Sequence, residues 1–458
     1  MTRRIRLAVL IAVAGILAAS NALAAKVVFE ELLGVGEDGF SVGWQTDEPA
    51  PTRLAFGPLE FAPDDAIEIP GERTHHLVEV TGLDPDTVYF YAIDGADPVN
   101  YDVAMWSPGW ARTLRTPPGE FLFSFATVND THVGEDVAGL IRVGSLTLTP
   151  GFTWDDPDNP YWLFTNRSAV EGINATDAAF VIHKGDVTAD ADDWQYENTL
   201  NIFGELATPI YFARGNHDRI QHGEDYFKLI LGITETDFWF DESGVRLVIV
   251  DTNDANGSGD VRDDQIDWLR DVLDDAEAKG LRVMIFAHHT FATDTPIYSV
   301  NTSDAFALTE LLGGYDNIAG MFAGHSHRAS VHFATATGDL PYAETPATKE
   351  YPMGYCVIRV YEGGYTQTFH RSACDECLVW SAMTQDQYFG FAPFLQFGDT
   401  ADRSFRYVYP DWRDEDAADD DTSDDDVADD DVTGDDDTST DIPAYGDDDD
   451  DDDDGCGC

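Results

Sequence analysis

The chain has 458 residues, of which 25% are charged, and a formal net charge of −61. The stretch from Asp411 to Cys458 holds 24 Asp, one Glu and one Arg, contributing −24, so the remaining 410 residues are acidic too, at −37. Such a balance argues against nucleic acid as a partner, since phosphate backbones are held mainly by Lys and Arg, and the length argues against one ordinary domain.

Taken in chain order, residues 1–25 read as a signal peptide. Arg3, Arg4 and Arg6 form a positive start, Leu7 to Ala19 is apolar, and Ala22-Leu23-Ala24 offers a small-residue cleavage site. No stretch reaches the ~18 apolar residues that a membrane span needs. The expected product is exported (periplasmic, cell-surface or extracellular) and has no transmembrane segment. Residues 26–116 read as all-β. Phe40-Ser41-Val42-Gly43-Trp44, Leu77 to Val80 and Val88 to Ile93 alternate in polarity between Gly and Pro turns. Gly82 to Tyr91 places a tyrosine after a tight turn, in the manner of a tyrosine corner. This segment resembles a fibronectin type III sandwich, and more narrowly the amino-terminal domain of purple acid phosphatases. Thr116-Pro117-Pro118 is a stiff linker.

From 119 to 372 strands alternate with helical stretches, which predicts a layered α/β domain. Phe121–Val128, Ala178–Ile182, Ile210–Ala213, Val245–Val250, Val283–Ala287 and Met321–Ala323 are the expected strands. Ile266, Leu269, Val272, Leu273 and Ala276 share one helical face, with Gly280 suited to the helix end. A second helix through Leu312 is expected to be capped by Ser303 or Asp304. Residues 133–165, rich in Gly, Pro and Trp, read as a lid or substrate wall. Residues 373–412 form an extension with two strand-like stretches. The Asp-rich tail, 413–458, cannot bury apolar surface and is expected to be disordered. Its eight adjacent carboxylates, Asp447–Asp454, suit weak calcium binding, and its terminal Gly-Cys-Gly-Cys suits tethering at a cell surface. Of the five cysteines, Cys374 and Cys377 are placed for a short disulfide in an oxidising compartment, and Cys356 for a buried thiol.

Five apolar runs in the α/β region end in polar blocks: Asp130-Thr131-His132, Gly185-Asp186, Gly215-Asn216-His217-Asp218, His288-His289 and Gly324-His325-Ser326-His327. Strands that deliver such residues to the rim of a sheet are where α/β proteins keep their chemistry. Alternate residues of an extended segment point the same way, so Asp130 with His132, and His325 with His327, are expected to aim two groups into one space. Mixed imidazole and carboxylate donors suit Zn, Fe or Mn rather than Ca or Mg. His183 is expected as a hydrogen-bonded strand residue, and His289 either touches substrate or stands behind a ligand. Arg219 and Arg328, each just past a block, either grip phosphate or form salt bridges.

The order of these blocks resembles the calcineurin-like metallophosphoesterase superfamily over about 250 residues. The resemblance implies a layered β-sandwich flanked by helices, binding two divalent or mixed-valence transition-metal ions. Asp130, His132 and His327 would hold one ion, Asn216, His288 and His325 the other, and Asp186 would bridge them. His217 would contact the phosphoryl group or protonate the leaving oxygen, with Arg219 and His289 as further substrate contacts. A metal-bound hydroxide would attack a small phosphorylated substrate. Purple acid phosphatases have Asp-x-Gly where this chain has Asp130-Thr131-His132, and tyrosine where it has Ala189, so no iron-tyrosinate is expected. Asp-x-His is instead the pattern of the cyclic-nucleotide and glycerophosphodiester phosphodiesterases. Phosphomonoester hydrolysis is the first expectation, on the amino-terminal domain. Phosphodiester hydrolysis is the second, and a non-catalytic surface or matrix binding protein the third.

Overall fold

The structure of the chain, a computed structural model, describes residues 25–59, 63–96, 109–143, 146–253, 259–293, 295, 298–334 and 337–412. The expected signal peptide, up to residue 24, and the expected acidic tail lie outside the described residues.

The amino-terminal strands β1 (Val27–Val35), β2 (Gly39–Gly57), β3 (Asp65–Thr81), β4 (Val88–Asp94) and β5 (Gly109–Arg112) join into one antiparallel network. The first part of β2 pairs with β1, its last part with β4, and β3 follows it throughout. A straight strand would set Phe40 and Phe56 roughly 50 Å apart. Yet Tyr91, which lies opposite Phe56, meets the Phe40 ring at 5.5 Å. The β2–β3 ribbon therefore folds back on itself, near the register shift between Gln45 and Ala50, and encloses one core containing Val42, Trp44, Leu54 and Tyr89. The Tyr89 hydroxyl accepts a hydrogen bond from the Asp84 amide at 3.0 Å, so the predicted tyrosine corner is present.

Two six-stranded sheets follow. One has the order β10 (Ile210–Ala213), β9 (Val181–Lys184), β6 (Phe121–Val128), β17 (Gly354–Tyr361), β18 (Gly364–Arg371), β19 (Phe405–Val408). The other has the order β11 (Phe238–Glu242), β12 (Val245–Val250), β13 (Arg282–Ala287), β14 (Ile318–Ala323), β16 (Leu340–Glu344), β15 (Ser330–Ala334). A two-residue pair, β7 (Arg142–Val143) with β8 (Leu146–Thr147), stands outside both. Between the sheets, Phe125, Ile182, Ile358 and Tyr365 pack against Leu247, Phe286, Phe322 and Ala343. The central strands bury both faces, which is why they read as unbroken apolar runs rather than alternating ones.

Helices cover the outer faces. α1 (Tyr161–Asn174) and α2 (Asp193–Phe203) lie against the first sheet, and α4 (Asp263–Lys279) and α5 (Thr302–Leu312) against the second; α3 (Tyr226–Leu231) packs beside α2. Gly280 ends α4 in the left-handed conformation, as predicted.

Three expectations are corrected. α5 is capped by Asn301, whose side chain accepts from the Asp304 amide, because the helix begins at Thr302 and both Ser303 and Asp304 lie inside its first turn. The supposed lid gives up its last residues to the first turn of α1, where Tyr161 and Phe164 are buried. The extension 373–412 is mainly helical: α6 (Asp375–Thr384), α7 (Ala392–Gln396) and α8 (Thr400–Arg403) precede the single strand β19. Its apolar run Cys377 to Trp380 fits either period, and packing of Cys377 and Trp380 against α1 settles it as helix. Cys374 and Cys377 are disulfide-bonded and Cys356 is a buried thiol, as expected. β1 is tied to the α/β region by Arg403, which donates to the Leu32 and Leu33 carbonyls, and by an ion pair between Glu31 and Arg371 at 2.8 Å.

Candidate metal centre

β6, β9 and β10 run parallel, as do β12, β13, β14 and β16, and the loops leaving β6, β9, β10, β13 and β14 carry the five polar blocks. The blocks converge. Asp130, His132 and His327 can offer donor atoms within 4.8 Å of one another, and so can Asp130, Asp186 and His288. His288 Nε2 lies 3.0 Å from Asn216 Oδ1, and the His325 ring is 5.0 Å from that of His288.

The local geometry is not the extended one expected of Asp-x-His and His-x-His. β6 stops at Val128 and β14 at Ala323. Asp130, His132, Asp186, His325 and His327 then all take positive φ, between 40° and 65°. A left-handed residue other than glycine costs about 1–2 kcal/mol. Five together are a sizeable strain against a total stability of roughly 5–15 kcal/mol. Such strain persists where a site needs the geometry. Glycine is required at 215, where a Cβ would come 2.1 Å from the Asp186 amide nitrogen.

Each carboxylate is pinned by one oxygen and free at the other. Asp130 Oδ2 accepts from Asn129 Nδ2 at 2.6 Å and from the His325 amide at 3.0 Å. Its Oδ1 has no hydrogen-bond partner and faces His327 Nε2 at 3.2 Å and His132 Nε2 at 3.9 Å. Asp186 Oδ1 accepts from the His217 amide at 2.8 Å, while Oδ2 faces His288 Nε2 at 3.2 Å and His132 Nε2 at 3.5 Å. Asp186 thus stands between the two groups of imidazoles. Both nitrogens of His132, buried at 3% exposure, also lack partners. Buried polar atoms are normally satisfied. Orphaned donors ringed by imidazole and carboxylate are what a transition-metal pair would complete.

The electrostatics agree. Burial would raise the Asp130 and Asp186 carboxyls, yet the facing imidazoles, His327 and His288 foremost, hold both well below the usual range. Burial would lower His288 and His327, but Asp186 and Asp130 overcome it and raise them to about 9 and about 10. His132 and His325, where burial prevails, fall to about 4. The carboxylates therefore favour positive charge beside them, which metal ions would bring.

His217 has its Nδ1 at 2.6 Å from the Ala189 carbonyl, which leaves Nε2 toward the cluster, with the His132 ring 4.5 Å away. The residue standing where a tyrosinate would be is the one whose carbonyl orients His217. His289 is buried, held by Thr252 Oγ1 at 2.9 Å with its ring 4.4 Å from His325; Arg219 is exposed and makes no ion pair among the described residues. His183 is a buried strand residue bonded to Thr131, and Arg328 pairs with Glu344 and stacks on Tyr298.

Sequence reasoning gave no role to Asp218, Glu135, Lys349 or Glu350. Asp218 accepts from the Val187, Thr188 and Gly215 amides and so locks two of the loops together; burial and the nearby Asp186 push its carboxyl up to about 6. Its place at the end of the Gly-Asn-His-Asp block was a usable signal. Glu350 Oε1 stands 2.6 Å from His327 Nδ1, yet Thr348-Lys349-Glu350-Tyr351-Pro352 reads as an ordinary turn.

Residues 123–329 match the calcineurin-like phosphoesterase family. A "Probable cyclic nucleotide phosphodiesterase" of Colwellia psychrerythraea is 23% identical over 216 residues, 46% of this chain and 73% of that protein. A 3',5'-cyclic adenosine monophosphate phosphodiesterase of Pseudomonas aeruginosa is 28% identical over 177 residues, 37% of this chain and 60% of its own length. Among solved structures, a dimetal phosphatase from Danio rerio aligns over 56% of this chain and 98% of that one, at 14% identity and a TM-score of 0.43.

Proposed function

We propose, from the match of residues 123–329 to the calcineurin-like phosphoesterase family, that the chain, a metal-dependent hydrolase, is an exported enzyme cleaving phosphodiesters. The observation that carries the choice of ester is the state of the surrounding cations. Lys184 donates to the Ala323 carbonyl and to Thr345, Arg328 pairs with Glu344, and Lys349 pairs with Glu135. None of these three is left over for the second negative charge of a monoester; Arg219, just past the Gly-Asn-His-Asp block, makes no ion pair among the described residues but is exposed, and a chain of net charge −61 repels a dianion more than a monoanion. The two relatives, a probable cyclic nucleotide phosphodiesterase and a cyclic adenosine monophosphate phosphodiesterase, support the same choice. Export rests on the amino-terminal signal pattern.

Two ions of the Zn, Fe or Mn type, held by Asp130, His132 and His327 and by Asn216, His288 and His325 about a shared Asp186, would supply positive charge for the phosphoryl oxygens and acidify a water. The protein's own part is positional. Asp186 Oδ1 is fixed by the His217 amide, so its free oxygen cannot rotate away from the cluster. His217, pinned through Nδ1–H on the Ala189 carbonyl, presents Nε2 to the cluster, and as the imidazolium would hand the Nε2 proton to the leaving oxygen.

A monoesterase is the second reading, favoured by the tyrosine corner of the amino-terminal domain, which suits a fibronectin type III-like fold. Metal analysis of the purified chain, coupled to hydrolysis of bis-nitrophenyl and nitrophenyl phosphate, tests both. The diester should be turned over faster. Preference for the monoester would favour the second reading, and absence of bound metal with no turnover would end both.

A further inference from the structure

Behind one flank of the cluster lies a group of three charges, Glu350 and Lys349 buried and Glu135 half-buried. Glu350 is 1% exposed. Its Oε1 faces His327 Nδ1 at 2.6 Å, and its Oε2 accepts from Gln387 Nε2 at 2.8 Å and lies 3.7 Å from Lys349 Nζ. Lys349, 2% exposed, also bonds Glu135, and its carbonyl accepts from Trp380 Nε1 at 2.8 Å. Glu135 takes a further bond from the Tyr161 hydroxyl at 2.7 Å and places Oε1 3.8 Å from His132 Nδ1. Buried ions are weak contributors to stability, because desolvation offsets most of the attraction. Two carboxylates and one ammonium facing two candidate ligands therefore need another reason.

We infer that Glu350, with Glu135 and Lys349 behind it, is the positioning group for the Asp130–His132–His327 flank. By accepting a hydrogen bond from His327 Nδ1–H, Glu350 fixes the tautomer whose Nε2 lone pair, on the side of Asp130, is free to bind a metal ion. A carboxylate in that position also makes the imidazole a stronger donor. The opposite flank has no counterpart on His288, whose Nδ1 faces the neutral Lys184 carbonyl at 2.9 Å. Asp218, a buried carboxylate beside Asn216, is turned to three backbone amides rather than to an imidazole. Gln387 and Trp380 belong to the carboxyl-terminal extension, so that extension is part of the support of the site rather than an appendage.

The inference rests on the metal-dependent reading above, and one titration separates the two. Metal-stripped full chain is titrated with Zn²⁺ against a competing chelator. Wild type should take two ions. Glu350→Gln, which keeps size and an accepting oxygen but removes the charge, should weaken one of them by about 10–100-fold and the other by less than about threefold. In a His327→Ala background, where no imidazole remains to be positioned, the same substitution should leave the remaining ion unchanged. Equal weakening of both ions, no weakening, or an effect that persists without His327 would overturn the assignment. If circular dichroism shows Glu350→Gln unfolded, Glu135→Gln is read instead: weakening of the same ion by up to about tenfold supports the inference, and an unchanged pair overturns it. Failure of wild type to bind any zinc would overturn the metal-dependent reading itself.

Discussion

On one flank of the cluster, His327 turns Nδ1 to the Glu350 carboxylate at 2.6 Å; on the other, His288 turns Nδ1 to the Lys184 carbonyl at 2.9 Å. Both imidazoles are thereby held in one tautomer with Nε2 inward, so orientation alone requires no buried charge. The difference lies in net charge. Glu135, Lys349 and Glu350 add −1 behind the first flank, whose own candidate ligands include Asp130, while the second adds the neutral Asn216. A neutral carbonyl suffices to aim a ring; a carboxylate also strengthens it.

The most severe way to break this comparison is at the shared residue. Asp186→Asn removes the charge that faces both His132 and His288. At least one metal equivalent should be lost, with turnover falling to that of the metal-stripped protein. Retention of two ions and near-normal turnover would show that the flanks are not joined through Asp186.

His217 lies beside the first flank but belongs to neither ligand set. His217→Ala should leave metal content intact and reduce kcat by about 10²–10⁴-fold on an alkyl ester, the usual size of a general-acid contribution. On a nitrophenyl ester, whose leaving group needs little protonation, the loss should be much smaller. Equal losses on both esters would remove the proton-donor role.

A smaller effect sharpens the role of protons on both flanks. In the metal-stripped protein His288 and His327 are raised from 6.5 to about 9 and about 10, after burial has been outweighed by Asp186 and Asp130. Raised imidazoles contribute stability that is complete below about pH 6.5 and is lost as pH climbs through the folded values. Lys184, lowered by burial to about 8, opposes this only above that pH. The metal-stripped melting temperature should therefore fall between pH 7 and 8, and the metal-loaded one should not. Scanning fluorimetry showing equal slopes for the two forms would contradict protons standing in for metal.

The smallest effect is expected where neither flank is touched. Deleting residues 413–458 removes no candidate ligand, so turnover should stay within about twofold and metal content unchanged. A large loss with both metals retained would bring the tail into the site.

Much of the cluster was legible because each candidate ligand ends an apolar run, and a strand that stops abruptly in Asp, Asn or His exposes that residue at a sheet rim. Which of those ends would share an ion came only from the family resemblance. Asn301 as the cap of α5 was less legible: Ser303 and Asp304 are equally good formers of the same bond, but the helix begins at Thr302 and both lie inside its first turn.

By itself, then, the sequence determined the layered α/β body, the run of strands before it, the disulfide of Cys374 with Cys377 and the residues that meet at the centre. These depend on patterns within a few residues of one another, namely polarity period, turn chemistry and strand ends. Only the tertiary structure decided that Asp130, His132, Asp186, His325 and His327 are left-handed, that Arg219 lies exposed while His289 is buried, and that 373–412 is mainly helix. It alone brought Glu350 to His327 and Glu135 to Lys349, pairs 23 and 214 residues apart. Burial and charge at those positions are set by neighbours remote along the chain, and no local pattern encodes them.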